Sequence, residues 1–171
     1  MQIEKKSLVV VQNASLSIGN LSILKGLSFT IEQQELVAIV GESGSGKSMT
    51  ALMLMGLQPK KATLEAELLT FESRDLKTLT PSDWQKRRGN SLGMVFQEPQ
   101  SSLNPTQRCG KQLLEVLKIH RNISSKEGAV QITRALEEVQ LHDTKRILKS
   151  YPHELSGGQK QRIMIAMALL C

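Results

Sequence analysis

Eight consecutive residues, Gly41-Glu42-Ser43-Gly44-Ser45-Gly46-Lys47-Ser48, match the pattern G-x-x-x-x-G-K-[ST] without a gap. The spacing suits one chemistry, the holding of a polyphosphate. Glycines let consecutive backbone amides turn inward around phosphate oxygens, where a Cβ would collide with the ligand. The loop then delivers the phosphates to a helix N-terminus, whose unpaired N–H groups carry partial positive charge. Lys47 is placed to neutralise β- and γ-phosphates, and the Ser48 hydroxyl to ligate a Mg²⁺ that bridges them. The bland alternative is a glycine-rich strand-to-helix turn that binds nothing. Against it, such an octet arises by chance in roughly one chain of this size in two hundred.

A second group, Leu155-Ser156-Gly157-Gly158-Gln159, precedes a helix expected over residues 160–170. An ordinary Ser-capped helix would explain it. Ser-Gly-Gly at a helix start also presents free amides and a hydroxyl to an anion, which makes it a second phosphate-contacting surface. One chain seldom needs two.

The elements that must position these groups follow from local pattern. Over residues 8–40 the texture is β: Val9, Val11, Leu16, Ile18, Leu27, Phe29 and Ile31 alternate with polar residues, and Gly19-Asn20 and Gly26 supply turn chemistry. Leu36-Val37-Ala38-Ile39-Val40 is apolar throughout, the mark of a strand covered on both faces. Residues 49–57 read as a buried helix closed by Gly56 and Pro59. Thr80-Pro81-Ser82-Asp83 begins a capped helix that ends at Gly89, and Leu92-Gly93-Met94-Val95-Phe96 reads as a second buried strand ending at Gln97. From residue 112 to 148 helical spacing takes over: Ser124-Ser125-Lys126-Glu127 forms a capping box, and Ala129, Ile132, Leu136 and Val139 make one buried face. Residues 98–106 are the hinge into this helical part, and Tyr151 and Pro152 lead out of it.

Bulk composition narrows the function. A chain of 171 residues, 40% hydrophobic, can build one domain with a real core. No apolar run approaches the roughly 18 residues of a bilayer span. Lys5 and Lys6 before Leu8-Val9-Val10-Val11 imitate a signal peptide, but the run stops at Gln12, so secretion is not expected. Cys109 and Cys171 lack metal-ligand spacing and read as buried or bystander thiols. A formal net charge of +6 could mark a nucleic-acid surface, with Trp84-Gln85-Lys86-Arg87-Arg88 its best local candidate. Only 3% of residues are aromatic and the cations are spread along the chain, so no nucleic acid is expected. A basic surface beside an anionic nucleotide and acidic lipid headgroups is the plainer reading.

The order GESGSGKS, VFQEP, LSGGQ resembles the nucleotide-binding subunit of ATP-binding cassette (ABC) transporters: Walker A, Q-loop and signature motif. The wording VFQEPQSSLNP with YPHELSGGQKQRIMIAMAL is similar to the branch that powers uptake of oligopeptides, dipeptides and nickel. The resemblance implies an α/β P-loop NTPase fold, with a RecA-like core, an N-terminal antiparallel β-subdomain and an α-helical subdomain. It divides the chain at 1–97 (β-subdomain and core), 98–155 (helical subdomain with a permease-facing loop) and 156–171 (signature and following helix). It implies ATP and Mg²⁺ as cofactors, a second ATPase domain paired head to tail as homo- or heterodimer, transmembrane permease subunits, and a peripheral position on the cytoplasmic face of the membrane.

Carried across, Gly41, Glu42, Ser43, Gly44, Ser45, Gly46, Lys47, Ser48 and Met49 correspond to the phosphate cradle, with Ser48 on Mg²⁺. Gln97 matches the Q-loop glutamine, which reaches Mg²⁺ or the attacking water; Lys47 and Gln97 are the catalytic candidates. Ser156, Gly157, Gly158 and Gln159 would meet the γ-phosphate of the partner's ATP. Two departures stand out. Ile18 occupies the position where the family commonly stacks an aromatic ring on adenine, and the sequence reaches Cys171 before the family's Walker B strand, catalytic glutamate, D-loop and switch histidine. Hydrolysis is therefore not expected of these 171 residues alone, and the core sheet is expected to lack its Walker B strand. Neither Glu98 nor Asp83 is placed by any motif opposite Ser48, and His153 stands too early to be the switch histidine. A small-molecule kinase would have no use for LSGGQ, and a DNA-repair cassette needs a long heptad insertion for which residues 97–155 leave no room. A truncated remnant that binds without hydrolysing, or the leading half of a fused two-cassette ATPase, are the remaining alternatives.

Overall fold

Alternation of apolar and polar residues over 7–32 builds a long antiparallel hairpin, β1 (Ser7–Ile18) against β2 (Leu21–Glu32), turning at Gly19-Asn20 with Gly19 at φ +57. In the computed structural model residues 6–97, 102–121 and 123–171 are described. Two units divide between Gln85 and Lys86.

In the first unit β1 is the central strand. Beyond the hairpin it pairs antiparallel with β3 (Ala62–Glu65) and with β4 (Leu68–Phe71), and β4 pairs with the short β5 (Arg74–Asp75). Val9, Val11, Ala14 and Leu16 point inward from β1 and are buried with Leu24, Leu69 and Phe71. The inward set steps from 9 and 11 to 14 and 16, so the alternation slips by one residue. A bulge causes the slip: Asn13 sits at φ 49, and Gly26, expected as a turn, is instead the opposed bulge residue at φ +57 inside β2. A Cβ on Gly26 would lie 3.3 Å from Asn13 Oδ1.

α1 (Lys47–Leu54) follows the glycine-rich loop and buries Thr50 and Met53. It begins two residues before the expected Met49 and is closed by Gly56 at φ +60. α2 (Pro81–Arg87) starts as its sequence predicts, with Asp83 accepting hydrogen bonds from the Thr80 N–H and hydroxyl at 3.0 and 2.6 Å.

Two expected strands are not formed. Residues 36–40 and 93–96 are irregular, and residue 92 takes part only in an isolated bridge to Arg88. Leu36 is 98% exposed and Val40 88%. An apolar run becomes a two-sided buried strand only as a member of a sheet whose neighbours bond its amides. Among the described residues nothing pairs with 36–40.

The second unit is helical: α3 (Cys109–His120), α4 (Ser125–Glu138), α5 (Thr144–Lys149) and α6 (Gly157–Leu170). Its core joins Leu113 and Leu117 of α3, Ile132 and Leu136 of α4, Ile147 of α5 and Ile163 of α6. On α4 the buried face runs through Gly128, Ile132, Ala135 and Leu136; Ala129, expected on it, is exposed, one position off. A Cβ on Gly128 would come within 2.9 Å of Leu114 Cδ1, so a larger residue there would require that side chain to shift. Cys109 is fully buried in this core and burial raises its thiol pKa, which makes it a poor nucleophile. No helix among the described residues is long and apolar enough to cross a membrane.

The capping box at α4 gives a pH-dependent term. The Ser124 N–H and hydroxyl donate to Glu127 Oε2 at 3.0 and 2.7 Å, and these bonds hold the Glu127 carboxyl below its ordinary pKa. A carboxyl depressed in the folded state stabilises at pH above its unfolded value, and that contribution is lost as pH falls through the folded value. Ser124→Ala should therefore lower the melting temperature at neutral pH and flatten the acid limb of its pH profile. Thermal melts across the carboxylate range check this, and parallel wild-type and variant profiles would contradict it.

Candidate functional site

The loop that ends in α1 owes its shape to its glycines, Gly46 above all. At Gly46, φ is +92 and a Cβ would lie 2.6 Å from Leu24 Cδ2 and 3.2 Å from the Ile23 carbonyl oxygen. At Gly41 a Cβ would lie 2.7 Å from Ser45 Oγ. Gly44, at φ +82, has open space on its Cβ side and is needed for its backbone alone. The loop closes on itself through the Ser45 N–H to the Glu42 carbonyl at 3.2 Å, and the Thr50 N–H and hydroxyl both bond the Gly46 carbonyl, at 2.8 and 3.1 Å.

Lys47 folds back over this loop. Its ammonium donates to the carbonyl oxygens of Gly41 at 2.9 Å and Glu42 at 2.6 Å, and stands 3.4 Å from Ser45 Oγ. The cation is thus held by exposed acceptors of the loop, which water or a ligand can replace. Ser48 is exposed in the first turn of α1, Met49 half-buried, and Glu42, Ser43 and Ser45 exposed with the loop. A glycine-rich loop that already holds the Lys47 ammonium on its carbonyls, followed by the Ser48 hydroxyl in the first turn of a helix, fits a polyphosphate and its cation.

In the second unit Ser156 caps α6. Its Oγ accepts from the Gln159 N–H at 3.3 Å, and Gln159 Oε1 accepts from the Ser156 N–H at 3.1 Å. The helix begins at Gly157, three residues before the expected start at 160. Gly157 and Gly158 are exposed, neither has positive φ, and a Cβ on either would meet nothing within 4 Å. Neither backbone nor packing among the described residues requires glycine there. Their amides, at the first turn of α6, have no intrahelical acceptor. α6 itself is fixed by Ile163, Met164 and Ala166 in the core and by Arg162, whose Nη1 donates to the Val139 carbonyl at 3.0 Å, just beyond the end of α4. Sequence reasoning missed Arg162; a cation one turn past the capping box was its only signal.

Gln97 is exposed at the end of the irregular stretch, and residues 98–101 of the expected permease-facing loop, Glu98 among them, lie outside the described residues. His153 is exposed and stacks on Tyr151, ring centres 5.6 Å apart, while the Arg108 guanidinium lies 5.7 Å from the Tyr151 ring. The imidazole is thus a surface ring stacked on Tyr151. Ile18 is the last residue of β1 and half-buried.

A family model described as "ABC transporter" matches residues 24–171. The chain belongs to the ABC transporter family. Its relatives include the oligopeptide transport ATP-binding protein OppD of Escherichia coli K12, 43% identical over 153 residues and covering 90% of this chain and 45% of that protein. The oligopeptide transport ATP-binding protein AppD of Bacillus subtilis is 46% identical over 85% of this chain and 45% of its own length. The glutathione import ATP-binding protein GsiA of Shigella dysenteriae is 41% identical over 99% of this chain and 29% of its own. The chain thus spans less than half the length of these relatives. Among solved structures, a dimeric ATP-binding cassette in a post-hydrolysis state, bound to ADP and phosphate, superposes with a TM-score of 0.83 at 27% identity, over 95% of this chain and 69% of that one. The mixed α/β architecture described above, an antiparallel sheet and a helical unit, is therefore an ABC ATPase fold.

Proposed function

We propose that this chain is the nucleotide-binding part of the ATPase subunit of an importer whose cargo is peptide-like. The observation that carries the reading is the Gly41–Ser48 loop: glycines at the two points where a Cβ would collide, and Lys47 drawn among the loop carbonyls. The peptide class of cargo is supported by the relatives' names alone, since oligopeptide, dipeptide and glutathione import proteins are all among them.

On this reading the amides of residues 41–46 hold the phosphate oxygens, and Lys47 exchanges its carbonyl partners for the β- and γ-phosphates. Ser48 and Gln97 are the residues that would hold Mg²⁺. When bound, Mg²⁺–ATP supplies the phosphoanhydride whose cleavage powers transport. Ser156, Gly157 and Gly158 serve a different nucleotide, held by a second ATPase domain in head-to-tail pairing. Gln159 spends its carbonyl on the capping box, which leaves its Nε2 amide for that phosphate. Permease subunits, and with them the cytoplasmic face of a membrane, complete the assembly.

Measuring affinity and turnover separately tests this. Calorimetry should show saturable Mg²⁺–ATP binding to the 171-residue chain without phosphate release, and the complete protein should add release. Absence of saturable binding in both would overturn the reading.

A further inference from the structure

Between α1 and strands β3 and β4 the first unit holds a cavity of about 220 Å³, walled by Met53, Leu64, Leu69, Leu76 and Trp84. Gln58 also lines it, and its Oε1 is buried with no hydrogen-bond partner among the described residues. We propose that this cavity binds a small, largely apolar molecule carrying one hydrogen-bond donor, of the phenol or indole class, with the donor on Gln58 Oε1. The site belongs to neither phosphate-contacting group, and the inference does not depend on the transport reading.

Three observations converge on that ligand class. Size comes first, because an apolar cavity of about 150 Å³ in a protein core admits benzene, so this one has room for a ring and a substituent. Polarity comes second. A buried carbonyl oxygen without a donor is costly and calls for a partner, whereas the other lining side chains, Lys77 apart, are aliphatic or aromatic. Lys77, at the border, gives its ammonium to the Ala66 carbonyl at 2.6 Å, with Asp75 Oδ2 at 4.0 Å, so it does not turn the cavity into an anion site.

Rigidity is the third. Met53, Leu69 and Leu76 are each buried to 4% exposure or less, held by a helix, a strand and a 3-10 turn. The Trp84 ring lies so close over Gly56 that a Cβ there would stand 2.5 Å from it, and Gly56 also needs its positive φ. Packing within the unit thus fixes these walls of the space, which opens toward solvent elsewhere.

Trp84 is the only tryptophan of the sequence, so its emission reports on this cavity. The full chain is titrated with phenol and, as the donor-free match in size, toluene, with tryptophan excited selectively. Phenol should shift Trp84 emission saturably and bind about five- to tenfold tighter than toluene, the worth of one net hydrogen bond. Gln58→Met should bind both equally, with circular dichroism confirming its fold, and Leu64→Phe, which fills the cavity, should weaken both. No saturable response to phenol would mean that water alone satisfies Gln58. A preference that survives in Gln58→Met, or equal binding of the two probes to the wild type, would also overturn the proposal.

Discussion

Lys47→Ala should cost the complete protein about thirty- to several thousand-fold in ATP affinity while leaving the ligand-free melting temperature almost unchanged. The two halves of that expectation come from one geometry. Without nucleotide the Lys47 ammonium bonds two exposed carbonyls and a hydroxyl, and water replaces those contacts at little cost when the side chain is removed. Against a triphosphate the same ammonium faces concentrated charge in a cradle that admits few other cations. Truncating one partner of a hydrogen-bonded charge pair costs about 2–5 kcal/mol, the range quoted above as fold-change. Calorimetry with Mg²⁺–ATP, paired with thermal melts in its absence, separates the effects. Unchanged affinity would remove Lys47 from the phosphate site, and a large fall in melting temperature would make its role structural.

That loop was readable from sequence because everything it needs is local. The glycine positions, the lysine and the helix start lie within eight residues, and Gly46, with its positive φ and the Ile23 carbonyl 3.2 Å from where a Cβ would stand, shows why glycine is needed there. Caps were readable for the same reason: Thr80 with Asp83, Ser124 with Glu127 and Ser156 with Gln159 all close within one turn.

What failed was non-local. Residues 36–40 carry the composition of a central strand, yet a strand is a property of a sheet, and no described segment lies alongside to bond them. The converse error is β3 and β4. Their four-residue lengths and the charges at Glu65 and Glu67 hide them from any periodicity test, and they exist because β1 offers a free edge that pairs Leu64 with Leu16 and Leu69 with Val11. Gly26 shows the same limit on a smaller scale. Glycine signalled a left-handed backbone correctly, but only the partner strand decided between a turn and a bulge. The cavity beside Gln58 had no sequence signal, because its walls come from a helix, two strands and a 3-10 turn.

The signature tip admits a sharper test than the loop, because its glycines can be changed without disturbing their own unit. Ser156→Arg would insert a bulky cation where the partner's phosphate should lie, but it also destroys a cap, and caps of this type are worth about 1 kcal/mol of helix stability. Gly157→Arg avoids the confusion. A Cβ at Gly157 meets nothing within 4 Å and its φ is not positive, so the substitution should leave the fold and the melting temperature close to wild type. If the tip approaches a triphosphate held by a second domain, the arginine side chain stands in the interface, and ATP-dependent pairing of the complete protein should be lost while each monomer still binds ATP at Lys47. Light scattering with and without Mg²⁺–ATP measures the pairing, and calorimetry the monomer affinity. Two outcomes would count against the head-to-tail assignment. Normal pairing would show that no partner comes close to Gly157, and loss of ATP binding by the isolated monomer would place both helix tips on one nucleotide. Ser156→Arg then serves as the second variant: with the cap loss allowed for by its own melting curve, it should abolish pairing to the same extent, since the two positions are adjacent on one helix start.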